Sequence, residues 1–294
     1  MRGFEYLSPQ TIPEALQLLS SHRERARILA GGTDLLVQMR SREVNPQYVI
    51  DLKRVRELQG LRHSPDGGLS IHALTRIADL CPVDALRGAF SILREAAQTI
   101  GSMQIRNRAT VGGNICRAAP SADLVPALLV LEARLRVRSA DQERWISLGE
   151  FFRGPGRTVL EPHELLAEIR VPPPPPGGAG VYQKLGPRQT TDLATVGVAV
   201  FLRMNSDADT CQDIRIALAS VAPTSRRARE AEKILAGNAL TPSSIDHAAR
   251  LASLEANPIT DVYGADWYKR QMVEVLTKRA ILEAMARVRG KNEA

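Results

Sequence analysis

The sequence has few aromatic residues, few lysines, few cysteines and no long apolar run, and each shortage excludes something. Aromatic side chains make up 4% of its 294 residues. Proteins that hold single-stranded nucleic acid stack bases on rings along a basic groove, so no nucleic-acid partner is expected. Cys81, Cys116 and Cys211 lie far apart and form neither a C-x-x-C pair nor a zinc-like spacing. They read as reduced thiols of a cytoplasmic protein, with no metal site in this chain. The five histidines form no H-x-H or H-E-x-x-H pair. No apolar stretch approaches the ~18 residues of a membrane span, and the N-terminus is too polar for a secretory signal. Common nucleotide fingerprints are missing too: no G-x-G-x-x-G follows a strand, and no G-x-x-x-x-G-K-[ST] occurs. There is no G-x-S-x-G elbow and no acid–base constellation, so no catalytic residue is assigned.

What remains is an ordinary globular composition, 44% hydrophobic and 24% charged, on a chain long enough for two domains. The net charge is +7, and 33 of the 39 basic residues are arginine, scattered without a run of five. Arginine is favoured at protein interfaces, so a subunit of a larger assembly fits as well as a free monomer.

The chain is organised around Arg27–Leu36, where an apolar strand-like run breaks into Gly31-Gly32, then Thr33-Asp34, then Leu35-Leu36. Paired glycines admit positive φ and remove Cβ atoms from the path of the backbone. Successive N–H groups can then face one concavity, a nest suited to phosphate oxygens. Asp34 is positioned to cap a helix from Leu35. A second loop, Ala109-Thr110-Val111-Gly112-Gly113-Asn114, again sets a hydroxyl beside paired glycines. Two nests suit two phosphates, which points to a pyrophosphate-bearing cofactor; either loop alone reads first as a plain turn.

Taken in order, Thr11 and Glu14 predict a capping box, followed by Ile12, Ala15, Leu16 and Leu19 on one helix face. A strand ending at Ala30, a helix over Leu35–Arg40 and a strand at Tyr48–Asp51 complete a β–α–β-like start. Leu69–Ala73 alternates as a strand, with His72 an ordinary strand residue. Leu93, Ala96, Ala97 and Ile100 share a helix face, Asp123 begins a helix running to Leu131, and Ala133, Leu135 and Val137 alternate in a strand. The prolines Pro172–Pro176, with Gly177-Gly178, read as a stiff linker. Beyond it, Ala194–Leu202 and Ile214–Ala219 read as antiparallel strands, and helices are expected over about Ser225–Leu235, Ser243–Leu254 and Trp267–Val288. Asp123 and Lys184 are candidate polar contacts; in isolation they read as an N-cap and a surface lysine.

Several of these stretches carry a resemblance. Ala30–Leu35, Ile100–Arg106 leading to Thr110–Asn114, and Pro120–Leu124 are similar to the FAD-binding medium subunits of molybdenum hydroxylases. Tyr182–Leu185 with Asp192–Ala194, and Asp261–Arg270 with Lys278–Ala280, extend the likeness over nearly the whole chain. The family includes flavoprotein subunits of carbon monoxide, xanthine and aldehyde dehydrogenases. The resemblance implies an α+β fold: an FAD-binding domain of the p-cresol methylhydroxylase and vanillyl-alcohol oxidase type over 1–176, with subdomains of about 1–55 and 56–176. A C-terminal domain over 177–294 would hold a small three-stranded antiparallel sheet and a helix bundle.

It further implies that Leu29, Ala30, Gly31, Gly32, Thr33, Asp34, Leu35, Leu36 and Thr110 grip the FAD pyrophosphate. Ile100 and Gly101 would pack near the cofactor, while Gly113 and Asn114 shape the second loop. Asp123 would accept hydroxyl groups of the FAD sugar or ribityl chain, and Leu166 and Lys184 would border the isoalloxazine, where a cation favours the reduced flavin. Two departures stand out: Leu193 occupies a position where the family often has an aromatic residue, and the Cys-bearing insertion of 4-hydroxybenzoyl-CoA reductases is missing. The implied protein is an electron-transfer subunit. It would take electrons from two [2Fe-2S] clusters of a small subunit and pass them to NAD or another acceptor. A large subunit would carry the molybdenum cofactor, and the assembly would be a dimer of heterotrimers. Two alternatives stay open: a self-sufficient FAD-dependent oxidoreductase, and a non-enzymatic binding module in which the glycine loops are only turns.

Overall fold

The computed structural model describes residues 2–82, 86–188, 191–205 and 210–292. Contacts divide the chain into two compact units, and neither is a single stretch. The first comprises Met1–Asp79, Met103–Ala118 and Ala133–Pro172; the second comprises Leu80–Ser102, Ala119–Glu132 and Pro173–Ala294. One division falls between Pro172 and Pro173, inside the proline run. The other divisions lie in ordinary sequence with no linker composition.

The chain opens with β1 (Glu5–Leu7), α1 (Ile12–His22), β2 (Ala26–Leu29), α2 (Leu35–Arg40) and β3 (Tyr48–Asp51). The three strands form a parallel sheet in the order β1-β3-β2, the expected β–α–β start. Ile12, Ala15, Leu16 and Leu19 of α1 are buried against Ala26, Ile50 and Leu52. Each large apolar side chain removed from water in this way contributes roughly 1.5–3 kcal/mol. The capping box forms in part. Thr11 Oγ1 accepts from Glu14 N at 3.3 Å, whereas Glu14 Oε2 accepts from Gln10 N instead of the Thr11 amide.

Next come β4 (Leu61–His63), β5 (Leu69–His72), α3 (Ser91–Gln98), α4 (Met103–Arg106), α5 (Val111–Cys116) and α6 (Leu124–Val130). They lead to β6 (Arg134–Arg138), β7 (Glu143–Ser147), the short pair β8 (Phe152–Gly154) and β9 (Arg157–Thr158), and β10 (Leu165–Val171). In the first unit these strands make an antiparallel sheet ordered β4-β5-β10-β6-β7. Central β10 is buried almost throughout, so its sequence lacks the alternation that reveals a half-exposed strand.

The rest of the second unit is β11 (Ala179–Leu185), β12 (Val196–Met204), β13 (Cys211–Ala219), β14 (Arg226–Arg227), α7 (Arg229–Leu235), α8 (Pro242–Glu255) and α9 (Asp266–Asn292). The sheet β11-β12-β13-β14 is antiparallel, and the implied three strands gain a two-residue fourth. That short strand also corrects the helix expected from Ser225: Arg226 and Arg227 pair with β13, so α7 begins only at Arg229. Val196, Val198, Val200 and Leu202 of β12 pack with Ile214, Ile216 and Leu218 of β13 and with Ala248, Ala252, Val273, Ala280 and Ile281 of the helices.

Candidate functional site

Among the expected site residues, Leu29–Leu36, Thr110, Gly113, Asn114 and Leu166 fall in the first unit. The first loop leaves β2 at Leu29 and enters α2 at Leu35. Its two glycines are required for different reasons. Gly32 adopts φ +81°, a left-handed conformation that side chains resist. Gly31 has no unusual φ, but a Cβ there would stand 2.1 Å from the Arg108 carbonyl oxygen. The first loop therefore presses directly on the backbone entering the second. None of the backbone N–H groups of Gly31, Gly32, Thr33 and Asp34 donates to a described residue. Four consecutive unused donors are what an anion-binding nest supplies. Asp34 stands at the N-cap of α2, yet its carboxylate makes no capping bond. It is held by the Thr33 hydroxyl at 3.4 Å and by Arg117 Nε at 3.3 Å.

The second loop is built differently from the expected second nest. Thr110 is the N-cap of α5, and Val111, Gly112 and Gly113 already lie within that helix. Val111 N donates to Thr75 O, Gly112 N to Ala73 O, Gly113 N to Thr110 Oγ1 and Asn114 N to Thr110 O. These amides are consumed by the fold, and only the Thr110 amide and hydroxyl hydrogen remain for a ligand. The glycines serve close packing instead: a Cβ on Gly112 would stand 2.7 Å from Ala73, and one on Gly113 2.8 Å from Thr110 Oγ1. The Asn114 Oδ1 atom is buried and accepts no hydrogen bond, which suits a ligand donor such as a hydroxyl or amine. Leu166 is buried in β10, between Leu165 and Ala167, which belong to the core packed on α1.

Ile100, Gly101, Asp123 and Lys184 fall in the second unit. Ile100 and Gly101 end the segment leaving α3, with Gly101 at φ +47°. Asp123 is 5% exposed and precedes α6. Its Oδ2 accepts from Lys184 Nζ at 2.9 Å and its Oδ1 from the Tyr182 hydroxyl at 2.7 Å. It caps no amide of α6, contrary to a plain N-cap reading. Lys184 is not a surface lysine either. Its Nζ also donates to Thr99 O and Asp192 O, each at 2.9 Å, so all three of its N–H donors are engaged. Lys184 can therefore act on a ligand as a fixed charge, while Asp123 keeps further lone pairs for a hydroxyl. Burial raises the Asp123 carboxyl above its ordinary value, an effect partly offset by the Lys184 cation and the Tyr182 hydroxyl. Burial and the Asp123 charge hold the Tyr182 phenol well above its own.

Sequence reasoning singled out neither Arg117 nor Tyr182 as a site residue. The signal for Tyr182 was its spacing: two residues before Lys184 on one strand, it shares that face of the sheet. Each unit carries groups whose chemistry fits FAD. In the first, a donor nest with a threonine suits phosphate and an orphaned amide oxygen suits a ligand donor; in the second, a carboxylate and a fixed cation suit the polar parts of such a cofactor. Among the described residues no group of three or more His, Cys, Asp or Glu side chains could hold a metal ion, and no helix is long and apolar enough to cross a membrane.

Comparison with known proteins agrees with this chemistry. Residues 2–174 match the FAD binding domain in molybdopterin dehydrogenase, and residues 181–284 match the CO dehydrogenase flavoprotein C-terminal domain. The chain is 36% identical to the carbon monoxide dehydrogenase medium chain of Hydrogenophaga pseudoflava, over 97% of this chain and 98% of that one. It is 30% identical to the xanthine dehydrogenase FAD-binding subunit of Escherichia coli O157:H7, covering 97% of each. A solved structure of Hydrogenophaga pseudoflava carbon monoxide dehydrogenase, lacking the Mo-pyranopterin moiety of its cofactor, superposes with a TM-score of 0.93. That match has 37% identity and covers 97% of this chain and 98% of the other.

Proposed function

This chain belongs to the FAD-binding medium subunits of the molybdenum dehydrogenases, and from that premise we propose the role it plays and the residues that carry it. It is the flavoprotein subunit of an oxidoreductase complex, with FAD as its cofactor. The proposed role is electron transfer: the subunit takes electrons from a small partner with two [2Fe-2S] clusters and delivers them to NAD or another acceptor. A large partner with the molybdenum cofactor hydroxylates the substrate. The proposed assembly is a cytoplasmic dimer of heterotrimers. Bound FAD supplies reversible one- and two-electron chemistry, which no side chain here could provide.

The residues are assigned by their chemistry. Gly31, Gly32, Thr33 and Asp34 offer unpaired amides to the pyrophosphate, joined by the amide and hydroxyl of Thr110, and Leu29, Ala30, Leu35 and Leu36 flank them. Gly113 permits the tight packing of the second loop, and Asn114 offers its orphaned oxygen to a cofactor donor. Asp123 accepts a sugar or ribityl hydroxyl. Lys184 provides a fixed positive charge for the isoalloxazine, and Leu166, Ile100 and Gly101 supply apolar contact. The four unused amides of Gly31–Asp34 are the observation that carries this reading. Their residues are partly to fully exposed, so these amides are open to the oxygens of an anion.

The test is anaerobic reduction in the purified complex. Substrate is expected to bleach the flavin absorbance only when the iron–sulfur partner is present. Direct bleaching of this subunit alone by the same substrate would favour the self-sufficient oxidoreductase instead.

A further inference from the structure

Lys184 carries a full charge, and its neutralisation depends on one neighbour. Among the described residues, Asp123 is the carboxylate within ion-pair distance of its ammonium. The Asp192 carboxylate is turned onto Arg188, leaving only its carbonyl for Lys184. Glu95, which faces the same strand from α3, accepts from Tyr182 N at 3.0 Å and is neutralised by Arg287 of α9 at 2.5 Å. The balance of charge around Lys184 therefore rests on how Asp123 is oriented.

Among the described residues, Lys184 donates to Asp123 Oδ2 and Tyr182 to Oδ1. The Tyr182 ring and hydroxyl are buried, and the sheet makes room for them. Gly197 of β12 lies opposite Lys184 in the ladder, and a Cβ there would stand 2.7 Å from the Tyr182 hydroxyl. Gly197 has no positive φ, so this clearance, and not backbone conformation, is what demands a glycine. The backbone of Tyr182 is fixed separately by Glu95.

We propose that Tyr182 is a positioning residue: its hydroxyl fixes Asp123 Oδ1, which turns Oδ2 onto Lys184 and sets how much of the Lys184 charge the flavin experiences. This rests on the assignment above of Asp123 and Lys184 to the FAD. A carboxylate that loses one of two buried hydrogen bonds is held less well in its ionised form. The Lys184 charge is then less neutralised, and positive charge at a flavin favours its reduced state.

The experiment is a spectroelectrochemical titration of the FAD-loaded full chain at neutral pH, comparing wild type with Tyr182→Phe, Gly197→Ala and Lys184→Met. Flavin content and thermal midpoint are recorded for each. Tyr182→Phe deletes the hydroxyl, and Gly197→Ala displaces it while leaving the tyrosine in place. Both are expected to move the midpoint potential to more positive values. The expected change is about tenfold in the relative stabilisation of reduced over oxidised flavin, or about 30 mV for a two-electron couple. Lys184→Met is expected to move it to more negative values. If the first two variants are folded and loaded but keep the wild-type potential or fall below it, while Lys184→Met shifts, the positioning role is overturned and the site assignment stands. If all three leave the potential unchanged, the assignment of the pair to the flavin fails and the positioning role fails with it. Should Tyr182→Phe not fold, Gly197→Ala decides.

Discussion

Gly31 and Arg108 approach so closely that a Cβ on Gly31 would stand 2.1 Å from the Arg108 carbonyl oxygen. The loop that carries the free amides is thereby locked to the chain entering the second loop. Gly31→Ala forces backbone apart, with an expected stability loss of about 1–3 kcal/mol, typical of overpacking. Because the displaced atoms include the nest itself, FAD affinity is expected to fall about tenfold or more, equivalent to ~1.4 kcal/mol. Fluorescence titration with FAD measures it. Gly3→Ala, where a Cβ meets nothing within 4 Å, is the control expected to match wild type.

Thr110 has a structural task and a proposed binding task. Its Oγ1 accepts from Gly113 N at 3.1 Å as the N-cap of α5. Thr110→Val removes that acceptor and is expected to cost about 1 kcal/mol of stability, together with weaker FAD binding. Thr110→Ser retains the oxygen and should restore both. Recovery of the melting temperature without recovery of FAD affinity would separate the two tasks.

The first fifty residues were legible because their signals are local. The helix face of α1, the break at Gly31-Gly32 and the six-residue α2 all follow from spacing of a few residues. The second glycine pair was misread as a nest because sequence cannot show where an amide is spent. Ala73 and Thr75, which accept from Gly112 and Val111, lie almost forty residues upstream. Buried β10 and the buried first half of β11 escaped periodicity for a related reason, since a strand covered on both faces does not alternate. Lys184 looked like surface because its partners Thr99 and Asp123 belong to distant segments.

Asp51 links acid stability to the parallel sheet. Burial alone would raise its carboxyl, but hydrogen bonds from Lys53 and from the Tyr6 hydroxyl outweigh it, and the carboxyl is lowered from its ordinary value. A carboxylate lowered on folding stabilises the native state above its unfolded pKa, and that contribution is lost as pH falls through the folded value. Tyr6→Phe removes one of these donors, so its folded carboxyl moves back toward the ordinary value. The variant is expected to lose less stability than wild type on acidification, its deficit being largest at neutral pH and closing in acid. Urea unfolding from neutral to acidic pH checks this: the two stabilities should converge as pH falls, and a gap that widens in acid would contradict it.

Lys269 is 2% exposed and reaches Asp261 Oδ2 at 2.7 Å and Ile259 O at 3.0 Å. It pins the loop before α9, which also exposes Ile259 and Val262. Lys269→Met leaves that carbonyl unpaired, with an expected loss of about 1–3 kcal/mol. Limited proteolysis should then cut within 259–264 faster than in wild type.

The central claim is that this chain binds FAD through the two loops, and the direct measurement is the absorbance spectrum of the full-length protein purified alone, followed by extraction and mass analysis of any released cofactor. The account predicts the two absorption bands of a flavin, an extract with the mass of FAD, and a lower content of both in Gly31→Ala. A colourless protein that also fails to take up added FAD would contradict it and leave a binding module with structural glycine turns as the better description.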